Sequence, residues 1–140
     1  MNYSDVSRIG WGSTRDVFEV TGTNDIPRFI VDEDLNSIVI KEAKNKFGKD
    51  ANKRELINWN STTYDFLCPA IKVINNGQYL IMKKADIKRV TEKHVSTVLN
   101  KYREVYKLSI YSDIKTQNIG LYKGNPVLVD YSFIDQEVKQ

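Results

Sequence analysis

A chain of 140 residues with 41% hydrophobic and 28% charged side chains is the size of one ordinary domain and can bury a genuine core. Lys and Arg exceed Asp and Glu by 21 to 18, and a net charge of +3 is too small to make nucleic acid or a membrane surface the main partner. One cysteine, Cys68, and one histidine, His94, exclude an intramolecular disulfide, a thiolate zinc cluster, a histidine triad and a multi-histidine metal site. No apolar run approaches transmembrane length, and the first ten residues lack the order of a signal peptide. The simplest expectation is a reduced cytoplasmic protein; the small size suits an economical genome such as a virus's, which would make it the host cytoplasm.

In chain order, β-branched and aromatic runs at 6–10, 16–20 and 37–43 are separated by Gly, Asn, Asp or Pro, which predicts an antiparallel meander. The connection over 21–36 is long enough for an extra short strand at 28–31. Asp50 is placed to cap a helix over 50–62, with Leu56, Ile57 and Trp59 supplying apolar contacts. Strands at 70–74 and 78–82 then flank Asn75, Asn76 and Gly77, a strong hairpin signal. Thr91 opens a second helix in which Val95, Val98, Leu99, Tyr102, Val105 and Tyr106 form one apolar stripe. After it come the stretch YSDIKTQNIG (111–120), a strand at 119–122, a turn at 123–126, and a strand PVLVD ending at Asp130.

Several of these residues have chemistry to offer. Gly10, Gly12 and Ser13 fall near the first turn, where glycines let backbone amides approach a polyphosphate, although a G-x-G is equally a plain hairpin turn. Val17 would close over a bound base or face the core. Lys41 ends the apolar run SIVIK and needs a counter-charge if buried; Glu55 is the candidate, and the alternative is a Lys41 that snorkels to solvent. Cations gather between Lys41 and Arg54, as a solvated face or a surface compatible with an anionic ligand. Asn118 and Asp130 could offer hard oxygens to magnesium, Asp113 could orient or deprotonate a hydroxyl, and Lys115 could neutralise a transferring phosphoryl group. Singly, each of the four is as well explained as a turn or a cap.

The joint order, GxGSxxxV, VIK, a helix Glu, DxxxxN, then Asp after a buried strand, resembles the protein kinase-like fold from Ile9 to Ser132. The resemblance implies an α+β, single kinase-like domain over 1–140. Its N-lobe (1–85) would be a five-stranded antiparallel sheet with one helix, carrying the glycine-rich loop and hinge. Its minimal C-lobe (86–140) would hold one helix, the catalytic loop and a β-hairpin. Ile9, Gly10, Gly12, Ser13 and Val17 would then form the glycine-rich loop, with Arg15 where the third glycine is usual. Val39 and Lys41 match the third-strand lysine motif, Lys41 holding the α- and β-phosphates and pairing with Glu55. Met82 takes the gatekeeper position, with Lys83 to Ala85 beside adenine. YSDIKTQN is similar to HRDxKxxN, which makes Asp113 the catalytic aspartate, Lys115 the γ-phosphate lysine and Asn118 a magnesium ligand. VDYS is similar to the DFG segment, with Asp130 the main magnesium ligand.

Tyr111 and Ser112 replace the usual His and Arg, and Tyr131 and Ser132 replace Phe and Gly. Ten residues follow Asp130, with no full activation segment, APE motif or later helices. The expected activity is ATP- and Mg2+-dependent phosphotransfer of Ser/Thr type to a hydroxyl on a protein or small molecule. The alternative is a catalytically silent module that binds nucleotide or a protein partner. Without the later helices, Tyr102 and Tyr106 are expected to stay partly exposed, making the face of helix 91–107 a surface for a partner or self-association.

Overall fold

In the computed structural model, which describes residues 1–106 and 116–134, the β-branched runs form strands. They are β1 (Val6–Trp11), β2 (Arg15–Val20), β3 (Ile38–Ala43), β4 (Ala70–Ile74) and β5 (Tyr79–Lys83), joined antiparallel in the order β1-β2-β3-β5-β4. Helices α1 (Lys46–Asn60) and α2 (Glu92–Val105) follow β3 and β5, and β6 (Ile119–Tyr122) pairs with β7 (Asn125–Leu128) as a separate ribbon. The class is α+β. The chain divides into two compact units, one of Met1–Ile57 with Pro69–Lys84, the other of Asn58–Cys68 with the described residues from Ala85 onward. Asn58–Cys68 thus groups with the second unit, whereas the sequence reading placed all of 1–85 in the first.

In the first unit, β3 is the central strand and its alternate residues meet different surroundings. Ile38 and Ile40 enter an apolar cluster with Phe18, Val20, Ile30 and Ile81, edged by Phe29, Leu35, Ile71 and Tyr79. Val39, Lys41 and Ala43 take the opposite face, beside Arg15 and Val17 of β2 and Leu80 and Met82 of β5. Burial on both faces explains why this strand reads as a continuous apolar run.

The hairpin between β4 and β5 turns through Asn75, Asn76 and Gly77, all with positive φ (53°, 55° and 97°), which is why Asn and Gly stand there. At Gly48 the requirement is space: a Cβ would collide with the carbonyl oxygen of Thr14 and press on Ala43. In the second unit, α2 is capped by Thr91, whose side chain accepts from His94 N while the His94 ring accepts from Thr91 N.

Four expectations are corrected. Residues 28–31 form turns and no strand: Ile30 N donates to Pro27 O, Asp32 takes φ 63°, and the segment inserts Ile30 into the apolar cluster. Helix α1 starts at Lys46, because Asn45 accepts from Gly48 N and caps it, so Asp50 lies inside the helix. Strand β7 ends at Leu128, since its partner β6 begins only at Ile119, opposite Leu128, and the ladder stops short of Asp130. Finally, Tyr102 is 0% and Tyr106 2% exposed. The two rings stack on each other at 4.8 Å, Tyr64 meets Tyr106 edge-on, and Phe133 lies against Tyr102, so the apolar face of α2 is covered within its own unit. The expected partner surface is therefore absent from these two residues.

Gly48→Ala should lower stability by about 1–3 kcal/mol, the usual cost of forcing atoms into a filled space, seen as a lower urea midpoint. Burial and the hydrogen-bonded Glu42 carboxylate raise the Tyr79 phenol above its ordinary value of 10.0. The folded chain thus holds this proton longer than the unfolded one, so stability is full below pH 10 and falls as pH rises beyond it. Urea titrations at pH 9 to 11 should show a shallower fall in Tyr79→Phe, which keeps the ring stacked on Phe29.

Candidate functional site

Parity along β3 puts Lys41 on the face of the sheet that carries α1, and there it is 5% exposed. Its ammonium lies 2.6 Å from Glu55 Oε1, and Glu55 is itself 0% exposed. Of the two readings left open by the sequence, pairing is the one formed. The second carboxylate oxygen is also occupied: Arg15 Nη2 donates to Glu55 Oε2 at 2.8 Å, while Arg15 Nη1 donates to Asn52 Oδ1 at 3.1 Å. Asn52 and Glu55 are three residues apart on α1 and so share one face. The Asn52 amide then donates to Lys41 O (3.2 Å) and Gly77 O (2.8 Å), tying β3 and the β4–β5 turn into the cluster.

Arg15 and Asn52 were missed in the sequence. A signal for each existed: Arg15 shares alternation with Val17, which pairs with Lys41, and Asn52 precedes Glu55 by one helical step. On its own, however, an Arg after a turn reads as a solvated charge.

The glycine segment is organised differently from a simple turn. Gly10 belongs to β1 and faces Val17, and a register shift between Arg8 and Gly10 falls at Ile9. Neither Gly10 nor Gly12 has positive φ, and a Cβ at either would meet only ordinary contacts, with Val17 at 3.5 Å and Arg15 O at 3.6 Å. The fold itself does not demand glycine at these two positions. The hairpin tip is tied down: Gly12 O accepts from Lys44 Nζ (2.9 Å), Ser13 O from Asn45 Nδ2 (3.4 Å) and Thr14 O from Lys44 N (2.7 Å).

Val17, Val39 and Met82 share the Lys41 face, by the pairs Val17↔Lys41 and Val39↔Met82. Lys83 ends β5, with its amide donating to Pro69 O. Ala85 belongs to the second unit, where it packs so close to Gly120 that a Cβ there would come within 2.6 Å of it.

Also in the second unit, Asn118 closes a 3-10 turn before β6, and Asp130 follows β7 by two residues. Val129 N donates to Asn118 O at 2.8 Å, which joins the two backbones at the open end of the ribbon. Asn118 and Asp130 are both half-buried. Beyond Asp130, Tyr131 donates its hydroxyl to Cys68 O (2.7 Å), and the carbonyls of Tyr131 and Ile134 accept from Asn58 Nδ2 (3.0 and 3.3 Å). Asp113 and Lys115 lie outside the described residues. No cluster of three or more His, Cys, Asp or Glu suited to a metal occurs among the described residues. Asp130 and Asn118 bring one carboxylate and one carboxamide, a donor set that suits magnesium when phosphate oxygens supply the remainder.

The cationic run has a place of its own. Lys44, Lys46, Lys49 and Lys53, with Asp50, Asn76 and Gln78, line a cavity of about 510 Å³ that does not include Lys41. Compared with models of known protein families the chain matches none, and no curated protein matches it. The functional reading therefore rests on side-chain geometry.

Replacing Glu55 by Gln should cost about 3–5 kcal/mol, because Lys41 and Arg15 would remain buried beside a neutral group. Urea unfolding measures this against Ile57→Gln on the exposed side of α1, expected to stay within about 0.5 kcal/mol of wild type.

Proposed function

We propose that the chain is a kinase-like phosphotransferase that takes ATP with Mg2+ and passes the γ-phosphoryl group to a hydroxyl, in the Ser/Thr manner. The observation that carries this reading is the buried Lys41–Glu55 pair, on a central strand whose same face presents Val17, Val39 and Met82. An ammonium is costly to bury, and a carboxylate partner at 2.6 Å fixes where its remaining protons can point. Such a lysine suits the α- and β-phosphates, and the three apolar residues suit the flat surface of a base. The two glycines the fold does not demand, Gly10 and Gly12, support a close approach of the protein backbone to a bound polyphosphate.

Asn118 and Asp130 would hold the magnesium ion. When bound, it neutralises charge on the phosphate oxygens. The acceptor oxygen forms its bond to Pγ as the bond from Pγ to the ADP oxygen breaks. Asp113 orients the hydroxyl and receives its proton, and Lys115 stabilises charge on the transferring group.

Labelled ATP with Mg2+, with and without cell extract, should yield phosphate transfer that falls by about a hundredfold or more in Asp113→Ala and Asp130→Ala. Circular dichroism confirms that each variant is folded. ATP-dependent thermal stabilisation without transfer, lost in Lys41→Ala, would instead identify a silent nucleotide-binding module. No response to nucleotide in either assay would reject both.

A further inference from the structure

The cavity beside the start of α1 has no part in the phosphotransfer reading. Lys46, Lys49, Asp50 and Lys53 of the helix, Lys44 just after β3, and Asn76 and Gln78 at the β4–β5 turn line it, all within the first unit. We infer that it binds a small polyol carrying two or more phosphate groups, a phosphorylated sugar or cyclitol, either free or as a lipid headgroup. This inference stands independently of the nucleotide reading.

The cations point to a ligand because the fold makes no use of them. At the helical repeat, Lys46, Lys49 and Lys53 fall on one face of α1, and none has an ion pair or side-chain hydrogen bond among the described residues. Like charges on neighbouring turns repel, so the helix gains nothing from this arrangement. Lys49 and Lys53 are nevertheless half-buried. Lys44 adds a fourth ammonium, steadied by donating to Gly12 O at 2.9 Å.

A second wall separates this place from a solvated lysine face. The β4–β5 turn comes so close to α1 that a Cβ on Gly77 would lie 2.6 Å from Lys49 O and 3.0 Å from Lys53 Cε. Asn52 Nδ2, donating to Gly77 O at 2.8 Å, holds the turn there. Helix and turn thus bound a space of about 510 Å³, within the range of small-molecule sites.

The lining selects the ligand. Every cation is a lysine, a compact charge that suits phosphate, and no arginine is there to clamp a carboxylate in its fork. No aromatic ring lines the space for a base to stack on, which disfavours nucleic acid. Acceptors stand among the lysines as well. Gln78 uses its amide nitrogen on Ala43 O (3.0 Å), which leaves Oε1 open, and Asp50 has no partner among the described residues. Such acceptors repel phosphate oxygens but take the protons of hydroxyls, so the best ligand carries both groups on one frame.

Calorimetry of the whole chain with inositol trisphosphate, at about 0.15 M salt, should give a Kd of about 10 μM or tighter. Inorganic tripolyphosphate should bind at least about tenfold more weakly, and Asp50→Asn should narrow that preference to about threefold by relieving repulsion on the inorganic anion. Lys49→Gln/Lys53→Gln should weaken the trisphosphate about tenfold or more. Lys88→Gln/Lys93→Gln removes the same charge from exposed positions of the second unit and should stay within about twofold of wild type. Circular dichroism confirms that each variant is folded. Flotation with vesicles containing phosphatidylinositol bisphosphate distinguishes the two sources: capture identifies a headgroup and no capture a free compound, and both uphold the site. Absence of trisphosphate binding, equal losses in the two double variants, or equally tight binding of tripolyphosphate or a polyglutamate peptide overturns it.

Discussion

The carboxylate of Glu55, shared between an ammonium from β3 and a guanidinium from β2, is the interaction around which the first unit is arranged. Burying three charges is costly, and the protein meets that cost with geometry: each oxygen has its own cation at 2.6 or 2.8 Å, and the adjacent Asn52 uses its oxygen and its amide together. Helix α1, the β1–β2 hairpin, β3 and the β4–β5 turn are mutually located by these few bonds. None could move far without stranding a charge or an amide. Packing alone, which tolerates exchange among side chains of similar volume, would define these positions less sharply.

The sheet therefore has two unlike faces. One is an ordinary apolar core made by Phe18, Val20, Ile38, Ile40 and Ile81. The opposite face mixes apolar residues with the polar cluster. Strand β3 supplies both, and alternation along it separates the residues of the apolar core from those beside the polar cluster. Val39 and Lys41 stand on one side, Ile38 and Ile40 on the other.

Strand existence was legible because β-branched runs and turn residues agree, most plainly at Asn75, Asn76 and Gly77, where three left-handed residues need Asn or Gly. The Lys41–Glu55 pair was legible only as one of two options, since a cation at the end of an apolar strand either finds a partner or snorkels to solvent, and the burial of both side chains decides for the pair. Arg15 was not, since nothing local shows that a residue after a turn will swing across to a helix that follows 31 positions later. The start of α1 was misjudged because Asp50 and Asn45 are both competent caps, and Asn45 wins by also reaching the hairpin tip. The burial of Tyr102 and Tyr106 depended on Tyr64 and Phe133, rings far away in the sequence that carry no local signature of where they pack.

The ties on either side of Asp130 have a mechanical meaning. Val129 is bonded to Asn118 before it, and Tyr131 after it is held at its hydroxyl by the Cys68 carbonyl and at its own carbonyl by Asn58, 73 positions earlier. A short span tied at both ends has little room to move, and Asp130 stands in the middle of it. The backbone at Asp130 is thus placed by parts of the chain made long before it, much as a beam takes its line from walls built first.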